Sequence, residues 1–527
     1  MASTVDTVLA VEKTAANHVE DTLGHGAISE AKQATDDEHS QTLMQALREN
    51  RKAVMWSVLI SMSIIMEGYD TILMGNFFAY PTFNQKYGQD YGGDIGWQVS
   101  APWQTGLNMA STVGCIFGGI LNGYCASKYG YRIVISPLDR PGPLWTLMGV
   151  FATIGPAYAS EVCPTVLRGY LTIYVNLCWA IGQLIASGVL YGLVDRKDQW
   201  GYRIPFGLQW IWPVPLMVIC WLAPESPWWL VRHDRLEDAK RSIRRLGGSK
   251  TEDQINGQLA MMVHTIKLEA EIEAGTTYYD CFKGVDLRRT EICCMAFVGQ
   301  ILSGSTFAYS PTYFFTQAGL PVTRSFQLGV GCTAIAFVGT CFSWWLITGF
   351  GRRTLYVVGQ GTLCATLFII GILDVSSSAN GIMWAQAGLC FFWLLTYSLT
   401  VGPIAYAIVS ETSSVRLRPL TVCIARTAYQ IINVVSQVLE PYFMNPTAWN
   451  ASGKTGFFWG ATALVAFVWA FFRLPEAKDR TYAELDILFA TKVKANKFAS
   501  TVVDPYAIRP AESQEGLVRE KTQDTNQ

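Results

Sequence analysis

The chain has 527 residues, half of them apolar, 13% aromatic and only 15% charged, with a formal net charge of −1. Soluble domains carry about 25% charged residues, so this composition argues against an ordinary soluble enzyme, and a charge near zero argues against affinity for nucleic acid. The charge that exists is segregated into Met1–Lys52, Pro224–Glu291 and Pro475–Gln527. Between those segments, apolar runs of roughly 18–25 residues recur, the length that crosses a ~30 Å hydrocarbon core. The reading is an all-α polytopic membrane protein.

In chain order, the first 50 residues are polar and lean acidic. They lack a basic segment followed by an apolar one, so no cleaved signal peptide is expected. Apolar helices are predicted over 53–80, 101–125, 172–194, 207–223, 292–316, 326–348, 354–374, 382–409, 421–441 and 457–473, with one more over 144–160. In lipid an unpaired backbone group has no solvent partner, which makes helices the expected form of such runs. The second run holds Gly114-x-x-x-Gly118 and Gly119-x-x-x-Gly123, a spacing that lets a second helix approach closely. The thirteen cysteines show no C-x-x-C pair and fall mostly inside apolar runs, where they read as small apolar residues rather than metal ligands. No cofactor is expected.

Basic residues orient the spans. "SKYGYR" (127–132), the 224–290 segment, "GFGRRT" (349–354) and "SVRLR" (414–418) are rich in Lys and Arg and are placed in the cytoplasm. Tyr80–Ser100 has one Lys and Asp374–Gly381 no basic residue, so both are placed outside. The basic "VDRKDQWGYR" (194–203), outside by parity, runs against this rule. Asn450-Ala-Ser452 is a glycosylation sequon on the outer side of this topology. The predicted organisation is a cytosolic tail (1–52), an N-terminal bundle (53–223), a cytosolic linker with amphipathic helices (224–290), a C-terminal bundle (291–473) and a cytosolic tail (474–527).

Two corners repeat across the halves. "ASEVCPTVLRG" (159–169) is echoed by "VSETSSVRLRP" (409–419), and "GYCASKYGYR" (123–132) by "ITGFGRRT" (347–354). A duplicated half with a site at the repeat interface is the pattern of secondary transporters. With "PESPWWL" (224–230) and "PEAKDRTYAELD" (475–486) after the two bundles, the chain resembles the sugar porter branch of the major facilitator superfamily. "EGYDT" (67–71) and "YASEVCPTVLRGYLTIYVNLCWAIGQL" (158–184) are similar to fungal maltose and α-glucoside permeases. One departure stands out: relatives carry an acidic residue in the Gly/basic turn where this chain has "SKYG".

The resemblance implies six spans per half, both termini cytoplasmic, and a monomeric multi-pass protein of the plasma membrane. Eleven spans are counted here instead of twelve. Between "SKYGYR" and "VLRG", residues 133–160 number only 28, and two spans need about 40. Pro137, Asp139, Arg140, Pro141 and Pro143 interrupt the first part. A charge costs about 2.5–3.5 kcal/mol at a bilayer centre, and a mid-helix Pro removes a donor. The third span and the start of the fourth are therefore read as missing, leaving the first bundle incomplete near 133–149.

None of the five histidines lies in an apolar run, so any transmembrane proton carrier must be a carboxylate. Glu67 and Asp70 sit three apart on one helical face, roughly 21–26 Å along a helix that starts near Ala53. An ionisable group at that depth is a functional candidate. Arg426 lies about 12 Å beyond Arg418 along its helix, deep enough to hold a Glu67 or Asp70 charge or to face a sugar. A static buried ion pair and a structural Arg426 are the competing readings. By resemblance, Asn176 and Gln183 on the fifth span, Gln300 and Tyr309 on the seventh, Tyr406 on the tenth and Asn433 on the eleventh match sugar-binding positions. Glu161 with Arg168, and Glu411 with Arg416, match the cytoplasmic corner pairs that hold the bundles outward-open. The expected function is proton-coupled symport of an α-glucoside such as maltose, by alternating access. A facilitative hexose carrier, and a transport-inactive sensor or relic, are the rivals. No enzyme signature is present; "GFGRRT" lacks the frame and Lys of a phosphate-binding loop. The partners expected are a small sugar, protons and the lipid bilayer.

Overall fold

A computed structural model describes residues 43–92, 96–110, 112–114, 116, 158, 162, 165–248, 251–273, 278–308, 310–317, 319–376, 380–414, 417–478, 480 and 482–501. All of the helix predicted over 144–160 except Tyr158, the interrupted stretch over 133–149 and most of the two glycine motifs lie outside these residues. Eight helical stretches among the described residues are long and apolar enough to cross a membrane: Arg51–Phe77, Asn176–Leu193, Gly284–Gln317, Val322–Ile347, Arg352–Ser376, Gly381–Thr412, Leu420–Met444 and Ser452–Arg473.

The chain enters through α1 (Leu43–Glu49), and α2 (Arg51–Ser61) and α3 (Ser63–Phe77) follow as one line joined at Met62. Pro81 then starts α4 (Pro81–Tyr87), and a short antiparallel ladder pairs β1 (Gln89–Asp90) with β2 (Trp97–Gln98). Helix α5 covers 101–110, and α6 spans Thr165–Leu193. α3 and α6 cross backbone to backbone. A Cβ added at Gly68 would overlap the Trp179 carbonyl oxygen, and one at Gly182 would overlap that of Ile65. Only glycines permit this approach, the device by which helices associate where the surroundings are as apolar as their side chains.

The helix predicted over 207–223 is not continuous. α7 (Trp200–Leu208) begins seven residues earlier, passes through a 3-10 turn at Gln209–Ile211, and restarts as α8 (Pro213–Leu222). Pro205, Pro213 and Pro215 each lack a backbone donor, which the apolar run alone does not reveal. The early start also takes Gly201–Arg203 out of the supposed outer loop.

The linker folds on itself. In α9 (Pro227–Arg232) Ser226 Oγ caps the Trp229 N–H at 3.3 Å. α10 (Leu236–Leu246) carries Glu237 and Asp238 in its first turn and Arg244 and Arg245 in its last, which complements the helix dipole. It buries Ala239, Ile243 and Leu246, an i, i+4, i+7 row. Ala239 and Ile243 join Trp229, Leu230, Ile255 and Met262 in a small core with α11 (Glu252–Glu273).

The second bundle contains α12 (Gly284–Leu302), α13 (Ser305–Ala308), α14 (Pro311–Gln317), α15 (Val322–Gly349), α16 (Arg352–Ser376), α17 (Asn380–Leu399), α18 (Val401–Thr412), α19 (Arg418–Met444) and α20 (Thr455–Arg473), with α21 (Tyr482–Ala490) after it. Two of its spans are broken. The run predicted over 292–316 stops at Ser303–Gly304, where Gly304 takes φ +83°. The run over 382–409 breaks at Thr400, between α17 and α18. Breaks at membrane depth are tolerated where the freed backbone faces protein or a water-lined cavity.

The basic turn before α16 is tied down by side chains. Glu476 accepts hydrogen bonds from the backbone N–H of Arg352 (2.8 Å) and of Arg353 (3.1 Å), capping the helix. Arg352 bonds Glu411 at 3.0 Å, and Arg353 Nε donates to the Leu474 carbonyl at 2.8 Å. The two bundles meet along α6 and α15. At one end of that seam, polar contacts cross it: Thr323 to Asp195 (3.2 Å), Gln327 to Tyr191 (2.7 Å), Gln104 to Tyr313 (3.3 Å), and Asn445 to the Val99 carbonyl (2.8 Å). Tyr80 sets its ring edge on Phe326 at the same end.

Candidate functional site

Charge lies on both sides of the seam inside the membrane region. On α3, Asp70 is buried (3% exposed) and Glu67 is half-buried. Asp70 Oδ1 accepts a short hydrogen bond from Gln209 Nε2 in the 3-10 turn. The broken α7–α8 element thus positions the donor for the deepest carboxylate, and Pro213 marks where the turn must end. Glu67 interacts electrostatically with Arg426 of α19. Among the described residues neither carboxylate forms an ion pair with Arg426: Glu67 feels its charge only at longer range, and Asp70 is held by an amide.

Arg426 is exposed to the space between the bundles and faces three rings. Its guanidinium carbon lies 5.4 Å from the Phe297 ring centroid, 5.3 Å from Tyr429 and 5.9 Å from Tyr406, and one amino group reaches the Tyr406 hydroxyl at 3.4 Å. Phe297 itself stands edge-on to Tyr406 and Tyr429 at 5.1 and 6.3 Å. Cation–π contacts are worth about 0.5–2 kcal/mol each, the upper end where water is excluded. Three of them hold the charge in place without consuming a carboxylate.

Along α19, Arg426 begins a line: Arg426, Gln430, Asn433, Gln437 and Glu440, at intervals of four, three, four and three. That spacing keeps all five on one face over about 21 Å. Ser436, next to the line, bonds Thr306 of α13 in the break of the seventh span. Sequence reasoning named Arg426 and Asn433 but missed Gln430, Gln437 and Glu440, although the helical period of the polar residues was visible in "ARTAYQIINVVSQVLEP". Gln209, Phe297 and Tyr429 were also missed. Their signal, an amide or ring within an apolar run, is common in membrane helices.

The remaining expected residues are placed as follows. Asn176 is half-buried on α6, and Gln183 on the same helix is buried, its amide nitrogen without a hydrogen-bond partner among the described residues. Gln300 at the end of α12 is buried and donates to the Gly402 carbonyl at 2.8 Å, bridging the two broken spans. Part of its hydrogen-bonding capacity is therefore spent on backbone. Tyr406 is 40% exposed, and Asn433 is half-buried. Tyr309, Glu161 and Arg416 lie outside the described residues, as does the side chain of Arg168. Glu411 pairs with Arg352 of its own bundle, so its described contact does not bridge the halves. No group of three or more potential metal ligands occurs among the described residues.

The family profile of "Sugar (and other) transporter" proteins matches residues 56–136 and 146–489, passing over 137–145. The chain belongs to the sugar transporter family. Members similar to it include a maltose permease of Saccharomyces cerevisiae, 36% identical over 525 residues that cover 94% of this chain and 85% of the relative. A general alpha-glucoside permease of the same yeast is 36% identical over 510 residues, covering 91% and 82%. Among solved structures, the proton:xylose symporter XylE bound to 6-bromo-6-deoxy-D-glucose superposes with a TM-score of 0.64 at 19% identity, over 84% of this chain and all of that one. XylE from E. coli in a partially occluded inward open form gives 0.61 at 18% identity, over 80% and 98%. At that identity the likeness shows the fold: this sugar transporter is an all-α membrane protein with the two helical bundles of the major facilitator superfamily.

Proposed function

We propose that this sugar transporter is a proton-coupled α-glucoside symporter of the plasma membrane, with both termini cytoplasmic and one chain as the working unit. Rocking of the 53–223 bundle against the 291–473 bundle would expose the seam alternately to each side. The single observation that carries the coupling is the acid pair of α3 set across the seam from a guanidinium lodged in three rings. Movement of the bundles changes how closely Glu67 meets Arg426, and a carboxylate gains or loses its proton according to the charge beside it. Asn176, Gln183, Gln300, Tyr309, Tyr406 and Asn433 offer amides and phenols for sugar hydroxyls. Maltose and α-glucosides are favoured as substrates by the names of the yeast relatives. The corner residues Glu161, Arg168, Glu411 and Arg416 are assigned to the cytoplasmic gate.

The test is uptake of labelled maltose into yeast lacking its own α-glucoside carriers, with external pH recorded. Sugar addition should alkalinise the medium. Asp70→Asn should abolish accumulation against a gradient while leaving exchange of internal for external sugar. Accumulation retained by that variant, or insensitive to an uncoupler, would favour the rival facilitative carrier. If the third span is missing, as the sequence reads, a further rival is an inactive relic, which predicts no transport by the chain as written.

A further inference from the structure

The far end of the α19 line carries a carboxylate that the proton mechanism does not use. Glu440 is 7% exposed, and its Oε2 accepts a hydrogen bond from the Trp459 indole N–H at 2.9 Å. Among the described residues its other oxygen has no donor. The residue lines a cleft between the bundles, together with Gln104 and Asn108 of α5, Ser310 and Tyr313 around the start of α14, and Gln437 one turn back on α19. None of the lining residues is Lys or Arg, so the carboxylate is not there to answer a protein cation. A buried carboxylate is costly unless hydrogen bonds surround it. Here one oxygen is anchored by an indole, in a cleft lined by neutral amides, a phenol and hydroxyls. Phe78 and Tyr313, edge to face at 6.4 Å, supply the apolar wall. Hydrogen-bonding groups beside aromatic surface are what a sugar ring requires, since it presents hydroxyls at its edge and C–H bonds on its faces.

The cleft lies at the end of the seam closed by the Gln104–Tyr313 and Asn445–Val99 contacts. In this closed arrangement it is narrow, with room for water rather than for a sugar ring. Its walls belong to opposite bundles, so parting them at this end widens it. Asn433 lies two helical turns from Glu440 on the same face, about 10 Å away, a separation that places two linked sugar rings side by side along the line.

We infer that Glu440 anchors hydroxyls of the second glucosyl unit of a disaccharide in the outward-open state, with Trp459 as the residue that orients it. This rests on the α-glucoside reading above. The amides around Asn433 then take one ring, and the Glu440 cleft takes the other.

The experiment compares wild type, Glu440→Gln and Trp459→Phe for maltose and glucose uptake, with Vmax normalised to surface protein. The assignment predicts at least a tenfold rise in KM for maltose in Glu440→Gln, a smaller rise in Trp459→Phe, and Vmax and proton uptake per sugar unchanged. KM for glucose, where it is carried, should stay within about twofold. An unchanged maltose KM, with or without reduced surface protein, overturns the assignment. Loss of accumulation at constant KM also overturns it and makes Glu440 a proton carrier. Should Glu440→Gln not reach the surface, the thermal shift given by maltose is measured on purified Glu440→Asp and Gln437→Ala. Both should lose most of it, and a full shift in both overturns the assignment. Absence of maltose transport in wild type fails the α-glucoside reading itself, which separates the two failures.

Discussion

Arg426 shows what one side chain can be asked to do in lipid. A guanidinium that lies over three rings and also donates to a phenol uses its plane and its fork together, and lysine has neither. Arg426→Lys should therefore keep the charge and still lose most proton-coupled uptake, by tenfold or more, whereas Tyr429→Phe preserves a ring and should cost less than threefold. Radiolabelled maltose accumulation normalised to surface protein reads both. Gln209 presents the converse case, a neutral group that matters through its position. Gln209→Leu strips the buried Asp70 of its described donor, a loss worth about 1–3 kcal/mol. It should lower the unfolding temperature in detergent and reduce accumulation together. Glu67, Asp70 and Arg426 were legible in the sequence because a charge in an apolar run is conspicuous; Glu440, at the end of its run, was not. Gln209 was not, because an isolated amide in such a run has many uses and nothing local says which carboxylate it faces.

At the scale of elements, the span pattern was readable wherever apolar length alone decides it, and misread wherever a helix breaks. Residues 207–223 have the hydropathy of a span, yet the 3-10 turn at Gln209–Ile211 and the restart at Pro213 split the region into α7 and α8. The runs predicted over 292–316 and 382–409 coincide with helical stretches long and apolar enough to cross a membrane, but hydropathy does not show their interruptions at Gly304 and Thr400; at Gly304 a Cβ would sit 3.1 Å from Trp459 and 3.2 Å from Leu367, on a backbone already at positive φ. The α3–α6 crossing is likewise a close fit that a hydropathy plot cannot show. Gly182→Ala should push these helices apart and abolish the monodisperse peak in detergent chromatography. Gly188→Ala, on the same helix with open space around its Cα, should leave the peak unchanged. Equal behaviour of the two variants would remove the crossing as a determinant of folding.

For the whole molecule, the polar contacts described across the seam gather at one end, where Thr323, Gln327, Gln104 and Asn445 each reach the other bundle. Individually such bonds contribute about 1 kcal/mol, so removing two should move a finely balanced equilibrium by roughly thirtyfold. In a chain carrying Ser310→Cys, the added changes Gln104→Ala and Asn445→Ala should raise labelling by a membrane-impermeant maleimide from outside. Unchanged labelling would mean that this end is not held by these contacts. The family match that passes over 137–145 coincides with the stretch too short and too proline-rich for a hairpin. Sequencing the transcript across residues 130–165 should recover about 20 additional apolar residues, one span's worth, if the first bundle is completed in the expressed protein.

The ring cage around Arg426 bears on turnover as well as on placement. An ammonium or guanidinium whose sole companion is an anion is trapped, because letting go strands a bare ion in oil. Quadrupoles on Phe297, Tyr406 and Tyr429 give this cation a place to rest with no carboxylate in contact. On the proposed coupling, approach and withdrawal of the Glu67 charge would then be ordinary steps in a repeating cycle, with those three π-faces setting how long the cation waits between them.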